Sequence, residues 1–571
     1  MKLKKALEDK NLVQSFSGVR TIFGFNKEIS KEQEELVAFY GFAYGYLFLK
    51  LQTETFIIGR DPRPTGTSIC KALAKGFLIA SKLKSTNLKI LNLGIITTPL
   101  LETAVRALKA DGGVIITASH NPINHNGFKF LTGESKYIDG ISAPPGALLS
   151  SEQMEDIIEF INSEESIRLF NENKNQVTTT EIEKAINIPE NETKRVIAER
   201  AYLDSIGNDW GITPHCLKPF TLGPALIDPN GGAGSGIDSR VLEHFGVKTV
   251  EINNEIGYPV HPVDTDNIDP SNGKHTLLRL SRETKRNNCK FGIAFDYDAD
   301  RGNLVLPGDD ESAVIMPQTV AAFNIALSLT RLHKSKSHLA VVMSDCTSLI
   351  SEKIASAFEA KVFYVETGEI NVVTKMYELR NEGYTVPIGV EGANGGTIFA
   401  SSTCRDGLQV ALAAAIVENE QEINHTWINI AKKTFKSMTD FKEKDFYTLK
   451  DLVDSIPVNY NAMEKLELKI SDHILLKEKI EKTLNSDIAK EINTLFPNKE
   501  IFHYEGTKEL DKPCDGTGGW KVKFTNPTET ATVFIRGSRT EAGIFRLIID
   551  AETKVAFDIL KSFFEDTMKD L

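Results

Sequence analysis

The sequence has few cysteines and none placed as a pair. Six occur in 571 residues: Cys70, Cys216, Cys289, Cys346, Cys404 and Cys514. No two are close enough for a CxxC motif, so they read as reduced thiols of a cytoplasmic protein, not a disulfide framework or a zinc site. Long apolar runs are also missing. The stretch from Val410 to Val417 stops at Glu418, short of the roughly 20 residues that cross a bilayer. The start, Met1 to Lys10, is charged and lacks the apolar segment of a signal peptide. There is no excess of positive charge: 66 Lys+Arg face 78 Asp+Glu, a formal net charge of −12. That balance argues against broad nucleic-acid binding. The expectation is a soluble protein with no nucleic-acid partner and no membrane partner.

The length predicts three or four domains. A helical pattern runs from about Lys31 to Lys50. The apolar run Thr55-Phe-Ile-Ile58 reads as a buried strand ended by the polar turn Gly59 to Gly66. Gly94 to Pro99 resembles a second such turn, a helical pattern covers Leu101 to Lys109, and Val114-Ile-Ile116 is a further strand. This alternation predicts an α/β domain with a largely parallel sheet. Residues 150–208 read as exposed helices with loops and carry no assigned chemistry. A second α/β unit opens at Ala225 to Gly236, and a third at Leu339 to Met343, continuing through Val362 to Val365. Residues 442–466 read as a polar helical connector. In the last domain Asp515-Gly516 reads as a hairpin turn, Trp520 to Phe524 alternates, and Thr532 to Ile535 is a strand. The expected boundaries are 1–208, 209–312, 313–455 and 456–571.

Three stretches carry chemistry-bearing residues. Thr117-Ala-Ser-His-Asn-Pro122 follows the strand at Val114, with Ser119 near the loop tip and Lys129 within reach. An ordinary polar turn is the plainer alternative. Asp296, Asp298 and Asp300 alternate after the apolar run Phe291 to Phe295. Carboxylates this close repel one another unless a cation or water sits among them, and hard oxygen ligands suit Mg²⁺ or Ca²⁺. An EF-hand does not fit, because Arg301 and Pro307 stand at its glycine and glutamate positions. Arg536-Gly-Ser-Arg-Thr-Glu541 follows a strand and offers Arg536, Ser538, Arg539 and Thr540 to a dianion; a basic surface loop is the alternative. The glycine-rich turn at Gly231 to Gly236 is not a dinucleotide fingerprint, since Ile237 stands where the third glycine is required; a tight strand-to-helix turn is expected.

These stretches, with Glu391-Gly-Ala-Asn-Gly-Gly396, resemble in content and order the loops of the α-D-phosphohexomutases, the family of phosphoglucomutase and phosphomannomutase. The resemblance runs from about Ser17 to Glu552. It implies an α/β, four-domain phosphohexomutase-like architecture: three related α/β domains with mixed sheets plus a C-terminal α+β domain around a central cleft. It implies a phosphoserine at Ser119, with Lys129 as acid/base and His120, Arg20 and Arg301 assisting. Mg²⁺ would be held by Asp296, Asp298, Asp300 and a phosphoserine oxygen, and the substrate by Glu391, Arg536, Ser538, Arg539 and Thr540. The implied reaction interconverts hexose 1-phosphate and hexose 6-phosphate, glucose or mannose, through a hexose 1,6-bisphosphate. A mutase for glucosamine phosphate and a phosphosugar-binding or regulatory homologue are the alternatives. The expected partner is a small-molecule phosphosugar, for a monomer or homodimer. The chain departs from the family at Thr21, Tyr297, Ala299 and Ala542. It also departs at Ile370, where a basic residue is usual, and after Glu391, where serine and histidine are missing.

Overall fold

A computed structural model describes residues 2–15, 17–134, 143–217, 224–262, 268–269, 273–332, 338–470, 472–512, 514, 518–537 and 544–569. The chain divides into two compact units, Met1–Ile315 with Ile398–Asn419, and Met316–Thr397 with Glu420–Leu571.

The first unit is built on a six-stranded sheet. Its spatial order is Val13–Ser15, Gly18–Ile22, His125–Thr132, Gly112–Ile116, Thr53–Arg60 and Asn87–Ile95. The last three strands are mutually parallel, whereas His125–Thr132 runs antiparallel to Gly112–Ile116. The sheet is therefore mixed, as the resemblance implies, and not largely parallel as the strand–helix alternation alone predicts. The physical reason is the serine loop: a connection this short can join only antiparallel neighbours. Helices Lys31–Phe48 and Gly66–Leu83 pack on the sheet, the first opened by a Ser30–Gln33 capping box. Their backbones touch at two glycines. A Cβ on Gly76 would lie 2.1 Å from the Ala38 carbonyl oxygen, and one on Gly41 would lie 2.6 Å from that of Leu73. Between helices and sheet lies an aromatic core in which Tyr44 stacks on Phe130 at 4.4 Å and donates its hydroxyl to the Leu131 carbonyl.

The segment expected to be exposed helices forms Ser151–Asn162, Glu164–Asn173, Thr179–Ile186 and Glu190–Trp210. Each of the first three buries apolar side chains, the middle one through Phe170 alone. Met154, Ile157, Ile161, Phe170, Ile182 and Ile186 join the aromatic core, so this stretch enlarges the core and is more than a connector. A second sheet of this unit has the order Gly302–Val305, Gly292–Phe295, Ala225–Asp228 and Thr249–Glu251. The glycine-rich turn after Ala225–Asp228 is the tight turn expected. Ala233 N–H donates to the Tyr297 carbonyl at 2.9 Å, and a Cβ on Gly232 would stand 2.9 Å from that same oxygen. The turn thus lies directly against the aspartate loop.

In the second unit, strands Lys361–Val365, Leu339–Ser344 and Thr385–Glu391 are parallel neighbours in one sheet. Its other sheet has the order Tyr460–Glu467, Ile544–Ala551, Thr530–Gly537, Gly519–Thr525, Asn498–Glu505 and Lys508–Glu509, and helices His473–Leu484 and Lys554–Lys569 share its core. The stretch expected as a polar helical connector holds one short helix, Leu449–Asp454, and then the edge strand Tyr460–Glu467. That strand is polar because only Ala462, Glu464 and Leu466 turn partly inward. The turn expected at Asp515-Gly516 lies outside the described residues.

Candidate active site

The first unit assembles the site around Ser119. The buried strand Gly112–Ile116 delivers the loop, and Thr117 N–H donates to the Gly127 carbonyl as the chain returns. Ser119 itself has a left-handed backbone, φ 48°, and is 2% exposed. An L-residue there costs about 1–2 kcal/mol, which the surrounding loop contacts must offset. The Ser119 hydroxyl donates to Asp296 Oδ2 at 2.8 Å, and Nδ1 of His120 stands 3.3 Å from the same Oγ.

The three aspartates follow strand Gly292–Phe295 and are all buried. One carboxylate oxygen from each lies within 4.8 Å of the other two. Ala299 makes the turn between Asp298 and Asp300 in the left-handed region, φ 58°, the geometry for which glycine is the usual choice. Thr98 donates its hydroxyl to Asp298 Oδ2 at 2.8 Å. Arg301 Nε pairs with Asp296 Oδ2 at 3.1 Å, and Arg405 Nη2 pairs with Asp300 Oδ2 at 2.7 Å. Lys129 is 2% exposed, with Nζ 3.4 Å from Asp300 Oδ2 and 3.5 Å from Asp298 Oδ2. Burial, together with Asp300, pushes the Asp296 carboxyl up to about 7. Burial also acts to raise Asp300, but Arg405, Lys129 and Arg301 outweigh it and hold that carboxyl below the usual range.

The residues fit a divalent cation. Asp298 Oδ1 and Asp300 Oδ1 are buried acceptors with no hydrogen-bond partner among the described residues. A cation with metal–oxygen distances of about 2.1–2.4 Å spans about 4.2–4.8 Å between opposite ligands, which matches the spacing here. The site also fits a phosphate. Arg20, on strand Gly18–Ile22, has a buried Nε with no partner among the described residues, and its guanidinium interacts electrostatically with Asp298 and Asp300. Arginine presents just such a donor to phosphate oxygens. His120 is held well below its ordinary pKa by Arg301 first, then by burial and Arg20, so its ring is neutral.

Thus Ser119, His120, Lys129, Arg20, Arg301 and the three aspartates come together in one unit. Sequence reasoning assigns no role to Thr98, Arg405, Asp61 or Arg63; Asp61, Arg63 and Thr98 stand in stretches that read only as turns. In the second unit Glu391 is buried at the end of strand Thr385–Glu391, and the next residue, Gly392, donates its N–H to Thr347 Oγ1. Arg536, near the end of strand Thr530–Gly537, donates from Nη1 to the Thr367 carbonyl at 3.2 Å. Thr367 donates in turn to Asp345, whose carboxyl is pushed up to about 6, chiefly by burial. Ile370, standing where a basic residue was expected, is buried in helix Glu369–Asn381. Ser538, Arg539 and Thr540 lie outside the described residues.

A buried serine hydroxyl on a carboxylate, beside a caged lysine and a cation-ready aspartate trio, fits an α/β enzyme that transfers phosphoryl groups. Comparisons with known proteins agree with that class. The family described as phosphoglucomutase/phosphomannomutase, alpha/beta/alpha domain I, matches residues 15–167, and domain III of the same family matches residues 321–436. A phosphoglucomutase/phosphomannomutase of Thermococcus kodakarensis is 29% identical over 541 residues, 94% of each chain. A phosphoglucosamine mutase of Caldicellulosiruptor saccharolyticus is 27% identical over 461 residues, 79% of this chain and 90% of the relative. The solved phosphoglucomutase/phosphomannomutase family protein of Burkholderia thailandensis shares the fold with a TM-score of 0.64 at 17% identity, covering 98% of this chain and 97% of its own. Paramecium parafusin, in its open form, shares it with a TM-score of 0.61 at 16% identity, covering 97% and 96%. The chain belongs to the α-D-phosphohexomutase superfamily.

Proposed function

We propose that this chain interconverts hexose 1-phosphate and hexose 6-phosphate through phosphorylated Ser119 and a hexose 1,6-bisphosphate. The observation that carries the reading is the Ser119 hydroxyl, buried and 2.8 Å from Asp296 Oδ2, in the unit that also holds Lys129 and the aspartate trio. Mg²⁺, held by Asp296, Asp298, Asp300 and a phosphoserine oxygen, would neutralise charge on the phosphoryl oxygens during transfer.

The remaining chemistry belongs to the protein. In the first half-reaction a sugar hydroxyl forms the new O–P bond as the Ser119 Oγ–P bond breaks, and the hydroxyl proton passes to Lys129 Nζ. In the second half-reaction the bisphosphate, turned over, returns its other phosphoryl group to Ser119 Oγ. Ser119 Oγ, left unprotonated when its bond to phosphorus broke, is the attacking oxygen, and the freed sugar oxygen takes from Lys129 Nζ the proton gained in the first half-reaction. Arg20 Nε donates to a phosphoserine oxygen, Arg301 holds Asp296, and neutral His120 flanks Oγ. Glu391 would accept from sugar hydroxyls, and Arg536 with Ser538, Arg539 and Thr540 would hold the distal phosphate.

Two substrate classes follow from the relatives. One is named for glucose and mannose phosphates, the other for glucosamine phosphate. Beyond Glu391 the loop Gly392 to Gly396 offers only Asn394 as a polar side chain, so it carries no fixed charge to select an amino group. We favour the neutral hexoses for that reason. A coupled assay with Mg²⁺ and a trace of sugar 1,6-bisphosphate would compare glucose 1-phosphate, mannose 1-phosphate and glucosamine 1-phosphate. The reading expects turnover with a neutral hexose that is lost in Ser119→Ala. Turnover of glucosamine 1-phosphate alone would overturn the substrate class, and full turnover by the alanine variant would overturn the mechanism.

A further inference from the structure

The turn from Gly59 to Gly66 supplies no group to the transfer described above, yet it holds a side chain whose every donor is engaged beside Ser119. Arg63 is 1% exposed. Its Nε donates to Asp61 Oδ2 at 3.1 Å. Its Nη1 donates to the carbonyls of Pro122 at 2.5 Å and His125 at 2.8 Å, and its Nη2 to the carbonyls of Ser119 at 2.6 Å and Asn121 at 2.7 Å. A guanidinium has five N–H donors, and all five are used here.

We propose that Arg63 is the positioning residue of the nucleophile: it holds the left-handed backbone of Ser119 and thereby aims Oγ at Asp296. The inference rests on Ser119 being the nucleophile. Carbonyls turned inward toward one point repel one another, and the loop keeps this shape because a planar cation fills the point. Lysine cannot replace it, having one nitrogen and three donors in place of a rigid fork. The other side of Ser119 is tied to the same pair. Its N–H donates to Thr117 Oγ1 at 2.8 Å, and the Thr117 hydroxyl donates to Asp61 Oδ2 at 2.7 Å. The N–H and the carbonyl of Ser119 are therefore both referenced to the buried Asp61–Arg63 ion pair.

The guanidinium is also seated from the aspartate loop. The Tyr297 ring, 1% exposed, lies 5.4 Å from the Arg63 guanidinium carbon. Tyr297 stands between Asp296 and Asp298, so one cation touches both the loop that carries Ser119 and the loop that carries the carboxylates. The departure from glycine at this position thus has a partner. Arg63 makes no contact with Oγ, so its effect runs through geometry and belongs in kcat.

The test uses the full chain with Arg63→Lys, and Thr117→Val as a second break in the same frame. Three readouts are taken: kcat and KM in the mutase assay, amide hydrogen exchange, and melting temperature. Arg63→Lys is expected to lose about 100-fold in kcat, with KM within about threefold. Exchange protection should fall over residues 117–127 while residues 31–48 and 66–83 stay protected. Wild-type kcat, or unchanged protection of 117–127, overturns the proposal. If the parent protein shows no turnover, the mutase reading fails, and hydrogen exchange still decides the clamp. If Arg63→Lys loses protection everywhere, Thr117→Val decides it by the same two criteria.

Discussion

Replacing Asp298 with asparagine separates a cation site from an acidic turn. The side chain keeps its shape and can still accept from Thr98 Oγ1, now 2.8 Å from Asp298 Oδ2, but one of three clustered charges is gone. Without a cation the change is small, because Lys129 stands 3.4 Å from Asp300 and can shift its pairing there. With a cation the change is large. At a metal concentration of about 100 times the dissociation constant, binding stabilises the folded protein by about 2.7 kcal/mol. Losing a charged partner in a buried site costs about 1.5–3 kcal/mol. Taking about 2.7 kcal/mol, the site weakens about 100-fold, and at the same metal concentration the linked stabilisation falls to about 0.4 kcal/mol. Isothermal titration with Mg²⁺ and thermal melts with and without it measure both quantities. The expectation is an Mg²⁺-dependent rise in melting temperature whose linked stabilisation Asp298→Asn cuts from about 2.7 to about 0.4 kcal/mol, while leaving the metal-free melt close to that of the parent. An equal Mg²⁺ response in parent and variant would refute the cation site.

Two further outcomes follow from the geometry. Arg301, burial and Arg20 hold His120 well below its ordinary pKa, so the folded protein leaves it neutral where the unfolded chain, near 6.5, takes up a proton. Stability is thus unaffected by this group above about pH 6.5 and declines as pH falls below it; His120→Asn should flatten that acid-side decline by up to about 1.4 kcal/mol per pH unit, read from urea midpoints of the unphosphorylated protein. Gly76→Ala would place a methyl 2.1 Å from the Ala38 carbonyl and 2.4 Å from the Phe42 nitrogen, so it should destabilise by about 1–3 kcal/mol by pushing two helices apart, whereas an unchanged urea midpoint would mean the helices do not meet there.

How far the sequence reveals the site depends on the distance between partners. Ser119 and the three aspartates are legible because each follows a short apolar run that ends in polar residues, and such a run buries and aims what comes after it. Lys129 is legible because it lies on the return strand of the same loop. Arg405 is not: it meets Asp300 from 105 residues away, and no local pattern records that pairing. Arg63 looked like one more charge in a polar turn, since a guanidinium gripping backbone carbonyls leaves no side-chain signature elsewhere. The fold shows the same limit. Buried strands such as Thr53–Arg60 announce themselves, but the edge strand Tyr460–Glu467 is polar on its exposed side and reads as a helix. The amphipathic helices of residues 150–208 read as exposed in the sequence because their polar faces outnumber the narrow stripes that reach the aromatic core. Tyr297 and Ala299, departures from the usual glycines, are accommodated by a cation–π contact and a left-handed turn, and only the folded structure shows either.

In the proposed mechanism Ser119 carries the phosphoryl group. Intact-mass spectrometry after incubation with glucose 1,6-bisphosphate and Mg²⁺, followed by peptide mapping, tests it most directly. A gain of one phosphoryl group on Ser119 is expected, absent from Ser119→Ala and discharged when glucose 1-phosphate is added. An unmodified serine in folded, turning-over enzyme, or a phosphoryl group on another residue, would contradict it.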